Sequence, residues 1–136
     1  MDQGDDPRAQ AYFERALALR EKLVGPEHVS LAYMLQNLGI IARRTGDYAA
    51  AEKYYLRALA SREKSLGPEH SEVGATLINI GNLYRAKGDY AKALETHLRA
   101  LGILERTAGP NDGATVLVLG NIARTYAATG DLENAV

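Results

Sequence analysis

The stretch Gly67–Asp89, GPEHSEVGATLINIGNLYRAKGD, is a unit that the rest of the chain repeats in strict register. Its opening Gly-Pro-Glu-His occurs 42 residues earlier at Gly25–His28 and, with substitutions, 42 residues later at Gly109–Asp112. The same offset relates one asparagine per copy, at positions 37, 79 and 121, and the Gly-Asp pairs that begin at 46, 88 and 130. Three separated landmarks at one offset indicate an internal repeat, which is typical of solenoids and helical arrays.

Composition excludes several classes of protein. The 136 residues include 16 Lys+Arg and 17 Asp+Glu, so the net charge of −1 argues against a protein that binds nucleic acid by neutralising phosphates. No cysteine is present, which excludes disulfides, thiolate metal sites and a cysteine nucleophile. The acidic start Met1–Asp6 lacks the apolar core of a secretion signal, and no segment has the roughly 18 apolar residues that a membrane span needs. We therefore expect a soluble, cytoplasmic protein with no nucleic-acid or membrane partner.

Each repeat has the pattern of two amphipathic helices separated by turns. Apolar residues recur at spacings of three and four, and Gly-Pro or Gly-Asp stands where each run stops. The predicted helices cover about residues 7–24, 29–44, 48–65, 71–87, 90–107 and 114–128. Thr115–Leu119 is rich in β-branched residues and would favour a strand on its own. Its register with Val73–Leu77, which follows a helical pattern, predicts a helix instead.

The repeated positions resemble a tetratricopeptide array of the longer, 42-residue variety similar to kinesin light chains. The residues that carry the resemblance are Leu35, Leu38, Gly39, Gly46, Tyr48, Ala51, Tyr55 and Ala58, and in the next copy Leu77, Ile80, Gly81, Tyr84, Gly88, Tyr90, Ala93 and Ala100. The resemblance implies an all-α fold, a right-handed α-solenoid of antiparallel helix hairpins. It also implies one array over residues 1–136, about three repeats long, which starts on a second-type helix and ends after a first-type helix. We expect such a chain to be a fragment of a longer array.

The chain shows no constellation that predicts catalysis. His28 and His70 are equivalent by repeat and are expected to be turn or capping residues, because a zinc site needs three or four convergent ligands. His97 stands where Phe13 and Tyr55 stand in the other copies, so we expect it to be packed in the core. Gly-Pro-Glu-His lacks the spacing and the lysine of a phosphate-binding loop. We predict that the protein is not an enzyme and has neither cofactor nor metal.

The resemblance implies that the first helix of each hairpin lines a concave groove that binds an extended peptide or a partner segment. The matching groove residues are Tyr33, Gln36, Asn37, Ile40, Arg44, Ile78, Asn79, Asn82, Arg85, Leu117, Gly120, Asn121 and Arg124. The three equivalent asparagines form a ladder of amides that could pair with a peptide backbone, and the arginines with no carboxylate among these positions favour acidic peptides. Two other interpretations remain open: the asparagines bond between helices, and the arginines serve the helix dipole.

A second functional hypothesis concerns the two outer helices. Pro7–Val24 is a second-type helix without a first-type partner, and the helix near 114–128 is a first-type helix without a second-type partner. Gly4–Asp6 aligns with Gly46–Tyr48, as expected for the start of a second-type helix. Two copies could therefore complete a hairpin head to tail, giving a scaffold or homo-oligomer by end-to-end helix stacking. The alternative explanation is that a longer array supplies the missing helices.

Overall fold

The computed structural model describes residues 6–130, and every regular element in that range is helical. The elements are α1 (Asp6–Val24), a 3-10 turn (Val29–Leu31), α2 (Ala32–Arg44), α3 (Tyr48–Leu66), α4 (Ser71–Ala86), α5 (Tyr90–Thr107) and α6 (Gly113–Thr129). The predicted all-α class is confirmed, and Thr115–Leu119 lies within α6 as the repeat register predicts. Gly4 and Asp5, and Asp131 of the third Gly-Asp pair, lie outside the described range, so their predicted alignments concern residues that are not described.

Helices α3 and α5, the second helices of their hairpins, are each capped by one aspartate. The carboxylates of Asp47 and Asp89 accept hydrogen bonds from the backbone amides three residues later, each at 3.2 Å. The glycine before each aspartate has a positive φ, 87° at Gly46 and 85° at Gly88, which side-chain-bearing residues rarely adopt. The Gly-Asp pair therefore ends one helix, as predicted, and its aspartate caps the next.

The repeated histidines are capping residues: His28 caps the 3-10 turn that precedes α2, and His70 caps α4. Nδ1 of His28 accepts from the amide of Ser30, and Nδ1 of His70 accepts from the amide of Glu72, both at 3.1 Å. In the third copy Asp112 does the same for the amide of Ala114 at 2.9 Å. The structure confirms that these histidines are capping residues.

Contacts within the chain divide it into two compact units, Met1–Gly67 and Pro68–Val136. In the amino-terminal unit, α2 and α3 form an antiparallel hairpin and α1 packs on α2. Gly39 of α2 lies against the ring of Tyr55, so closely that a Cβ built at residue 39 would be 2.5 Å from Cδ1 and Cε1 of that ring. One core cluster of this unit comprises Leu17, Leu31, Ala32, Leu35, Leu38 and Ala58.

In the carboxy-terminal unit, α4 and α5 form the equivalent hairpin, and α6 packs on both. Gly81 of α4 takes the place of Gly39, and His97 of α5 takes the place of Tyr55. The buried apolar residues are Val73, Leu77, Ile78, Ile80, Leu83, Ala93, Ala100, Ile103, Leu104, Val118 and Ile122. His97 belongs to this core, as its position in the repeat predicts.

Candidate peptide-binding surface

The residues predicted to line a groove all lie on the first-type helices α2, α4 and α6, but they differ in exposure. Tyr33, Leu117 and Arg124 are exposed; Gln36, Asn37, Ile40, Arg44, Asn79, Asn82, Arg85 and Gly120 are half-buried; Ile78 and Asn121 are buried. A ligand can therefore reach the exposed and half-buried residues directly. Contact with the side chains of Ile78 and Asn121 would require neighbouring side chains to move.

In the amino-terminal unit, two predicted polar groove residues already have partners within the chain. Nη2 of Arg44 is 2.9 Å from Oδ1 of Asp6, whose side chain is only 1% exposed. Nη1 of Arg62 donates to Oε1 of Gln36 at 2.5 Å. Asp6 thus neutralises part of the positive charge that the sequence assigned to this face. The ion pair joins residues 38 positions apart, so sequence spacing gave no sign of it.

Tyr33 is the exposed residue of that face, and Asn37, which is half-buried, lies one helical turn from it. Nδ2 of Asn37 donates to the carbonyl of Tyr33 at 2.9 Å, a bond within one helical turn. One of the two amide hydrogens of Asn37 is therefore occupied in its own helix. The ring of Tyr33, 67% exposed, provides an aromatic surface beside it.

In the carboxy-terminal unit, two arginines from different helices converge on Asn121. Nη1 of Arg124 donates to Oδ1 of Asn121 at 2.6 Å, and Nη1 of Arg85 lies 3.4 Å from the Asn121 carbonyl. Because α4 and α6 pack side by side, residues 36 positions apart meet here. The sequence predicted all three as groove residues, but it gave no indication that Arg85 lies beside Asn121.

Two amide atoms of predicted groove residues lack a hydrogen-bond partner among residues 6–130. Nδ2 of Asn121 and Oδ1 of Asn82 are both buried and make no hydrogen bond. An unsatisfied buried polar atom costs about 1–3 kcal/mol, so a polar ligand that satisfied either atom would recover part of that free energy. The asparagine at 121 is accordingly neither fully engaged with a neighbouring helix nor fully exposed.

The charged side chains that α4 and α6 place at Asn121 are both arginines. The sequence of α6 contains no aspartate or glutamate, and that of α4 contains only Glu72, in its first turn. Arg85 lies in the last turn of α4, more than three turns from Glu72 along the helix. An acidic group that approached Asn121 would meet two guanidinium groups and no carboxylate from these two helices.

Two clefts of the amino-terminal unit lie elsewhere, between α1 and α3. One has a volume of about 530 Å³ and is lined by Glu21, Pro26, Glu27, Arg57, Ala60, Ser61 and Lys64. Arg57 pairs with Glu21, and Lys64 with Glu27, each at 2.7 Å. The carboxylates of this cleft are thus held in ion pairs and are poorly placed to act as general acids or bases.

Two further findings bear on function. Within residues 6–130 no group of three or more histidine, aspartate or glutamate side chains is placed to hold a metal ion. None of the helices in that range is long and apolar enough to cross a bilayer.

Antiparallel helix hairpins repeated every 42 residues, with polar side chains on the first helix of each, define a helical repeat array of the kind that mediates contacts between proteins. The chain belongs to the tetratricopeptide repeat family, because the family model of that description matches residues 1–64, 31–106 and 72–136. Membership assigns it to a class of protein–protein interaction modules. No curated protein sequence matches the chain.

Solved structures are similar over 97% of the chain. The crystal structure of BtubC (BKLC) from P. vanneervenii is 26% identical with a TM-score of 0.88, and the chain covers 53% of it. Two Podosopora anserina structures, described as a kinesin light chain with nearly identical TPR-like repeats, are each 23% identical with a TM-score of 0.86. The chain covers 63% and 62% of them, so it spans between about half and three fifths of these structures. The predicted kinesin-light-chain-like array is confirmed.

Proposed function

We propose that the chain is a non-catalytic interaction module that binds an extended acidic peptide segment on the exposed faces of its first-type helices. The observation that carries the proposal is the convergence of Arg85 and Arg124 on Asn121 in the carboxy-terminal unit. Tyr33 and Asn37 offer an aromatic and an amide contact on α2 of the amino-terminal unit. Family membership supports the coarser part of the proposal, binding to another protein.

Binding would proceed through exchange of hydrogen bonds at Asn121. A ligand carboxylate can accept two N–H groups from the Arg124 guanidinium, and such charge-assisted bonds are stronger than the neutral one that Arg124 makes with Oδ1 of Asn121. Release of Arg124 frees Oδ1, which then accepts from a backbone N–H of the peptide. Nδ2 of Asn121, buried and without a partner in the described part of the chain, then has a backbone carbonyl within reach.

The test uses a short labelled peptide rich in glutamate and the same peptide with glutamine at every acidic position. Arg124→Gln should weaken binding of the acidic peptide roughly tenfold, which is the loss of one charge-assisted hydrogen bond. Arg106→Gln is the matched control, since Arg106 is an exposed arginine of α5 that pairs with Glu69 at 2.9 Å. The proposal fails if both variants bind alike, or if the glutamine peptide binds as tightly as the acidic one.

The amide ladder is tested separately. Replacing Asn79 and Asn121 by alanine should weaken peptide capture while the circular dichroism of the helices is preserved. Unchanged affinity in a folded double variant would rule out these amides as contacts. Because the asparagines are proposed to bind the peptide backbone, which all peptides share, the loss of affinity should be similar for peptides of different sequence.

Self-association is the second candidate function, favoured by exposed apolar residues on the outer helices. Val116 and Leu119 of α6 are exposed, although the equivalent Gly74 and Leu77 are buried in the α4/α5 hairpin. On α1, Leu23 is 77% exposed. The proposed occupant of this face of α6 is α1 of a second copy. Helix α1 is equivalent by repeat to α3 and α5, which pack on the first-type helices α2 and α4.

One feature of α6 opposes a hairpin identical to the others. Ala123 stands where Gly39 and Gly81 allow the partner ring to approach, and a Cβ at Gly81 would be 2.3 Å from His97. A helix on α6 must therefore sit farther away than α5 sits from α4.

Light scattering over a concentration series tests self-association, and Leu119→Lys should lower any mass above that of the monomer. Leu98→Lys is the control, because Leu98 is equally exposed, at 46%, on α5. A monomer at every concentration contradicts this candidate. If the acidic peptide still binds where only monomer exists, the first-type helix faces are functional without self-association.

A further inference from the structure

The imidazole of His97 is enclosed between the two helices of the α4/α5 hairpin. The residue is 0% exposed, and a Cβ added to Gly81 would lie 2.3 Å from Nε2 and 2.4 Å from Cδ2. The ring therefore packs directly on the backbone of α4. In the α2/α3 hairpin this slot holds Tyr55, whose phenol ring does not gain a charge on acidification.

The hydrogen bonding of the ring fixes its neutral tautomer. Nε2 lies 3.2 Å from the carbonyl of Ile78, and a carbonyl can only accept, so Nε2 carries the proton. Nδ1 is buried and has no partner among residues 6–130. A second proton on the ring would thus place a charged N–H in the core with no acceptor.

The charged groups around the hairpin do not compensate a cationic ring. On α4 the nearest is Arg85, which has the same sign, while Glu72 is two and a half turns from Gly81. The titratable side chains of α6 are Arg124 and Tyr126, and the two carboxylates of α5 itself, Glu95 and Glu105, are exposed. Burial foremost, and the Arg85 charge in addition, lower the pKa of His97, although its bond to Ile78 acts in the opposite direction.

We propose that His97 makes the α4/α5 hairpin an acid-sensitive element, which loosens as the imidazole takes up a second proton. Its folded-state pKa lies below the unfolded value of about 6.5, so the unfolded chain binds more protons on acidification. The contribution of His97 to stability is complete above about pH 6.5 and is lost as the pH falls from there toward the folded-state pKa. The switch is independent of whether the first-type helices bind a peptide.

The first test is an NMR titration of the His97 imidazole, assigned among the three histidines of the chain. Its signals should titrate below about pH 6.5, the ordinary midpoint of an imidazole, and the amides of α4 and α5 should lose protection from hydrogen exchange over the same pH interval. Titration of His97 at or above about pH 6.5 would overturn the proposal.

The second test replaces the ring with the aromatic residues of the equivalent slots. His97→Tyr copies Tyr55, and His97→Phe copies Phe13 of α1. The urea midpoint of the wild type should fall from about pH 7.5 to about pH 5.5 by more than that of either variant, because only the wild type carries the titrating ring. Parallel losses in all three proteins would refute the switch. If neither variant folds, the NMR titration of the wild type decides alone.

Discussion

Replacing Gly39 by alanine tests the close approach of α2 and α3. The new Cβ would lie 2.5 Å from Cδ1 and Cε1 of Tyr55 and 3.1 Å from its Cζ. Ordinary carbon–carbon contacts are about 3.5–4.0 Å, so either the ring or the helix must move by about 1 Å. Tyr55 is 0% exposed and packed on all sides, which leaves the ring little room to do so.

The expected cost is the difference between two opposing effects. Overpacking of a filled core costs about 1–3 kcal/mol, while the change from glycine to alanine inside a helix contributes about 1 kcal/mol of stability. Because two ring atoms are far inside contact distance, the upper part of the first range applies. We expect Gly39→Ala to lower the free energy of unfolding by about 1–2 kcal/mol.

Gly120→Ala provides the matched control. Gly120 is also in a first-type helix, α6, but the nearest atom to its added Cβ is Nη2 of the flexible Arg124 side chain at 4.0 Å. Only the helix-propensity gain remains, so this variant should be more stable than the wild type by up to about 1 kcal/mol. Urea denaturation followed by circular dichroism measures both. If Gly39→Ala matches or exceeds the wild type while Gly120→Ala is stabilised, the tight contact with Tyr55 is refuted.

Substitutions at three further positions test the local interactions. Asp89→Ala removes the cap of α5 and should cost about 1 kcal/mol in urea denaturation, whereas Asp89→Asn should retain most of the stability. Thr115→Val keeps the shape of a buried side chain but removes its 2.8 Å hydrogen bond to the Gly109 carbonyl. We expect the free energy of unfolding to fall by about 1 kcal/mol. An unchanged value would show that water or another donor bonds to that carbonyl. Glu27→Gln removes an exposed ion pair with Lys64 and should change the urea midpoint less than either of the others, with any change disappearing at high salt.

Much of the fold could be predicted because its signals are local. The Gly-Asp and Gly-Pro turns, the capping residues and the three- and four-residue spacing each act over a few positions, and the repeat supplies independent copies of them. The register also placed His97 in the core and overrode the strand preference of Thr115–Leu119. Each of these inferences needed only knowledge of which residues are equivalent.

The sequence predicted which residues belong to the candidate site, but not which of them are buried or already bonded to another side chain. The register identified the first-type helix positions, yet it could not tell that Arg44 is paired with Asp6 or that Gln36 bonds Arg62. Nor could it tell that Asn121 is buried while the equivalent Asn37 and Asn79 are partly exposed.

The sequence by itself determined the repeat, the helices and their ends, because turn geometry, capping and amphipathic periodicity depend on neighbours a few residues away. Tertiary structure alone decided which polar side chains are engaged and which remain open to a ligand. Arg85 meets Asn121 only because α4 and α6 pack against each other, and the proton on the His97 ring is set by a carbonyl of the facing helix. Hydrogen bonding and desolvation depend on every atom within a few ångströms, whatever its distance along the chain.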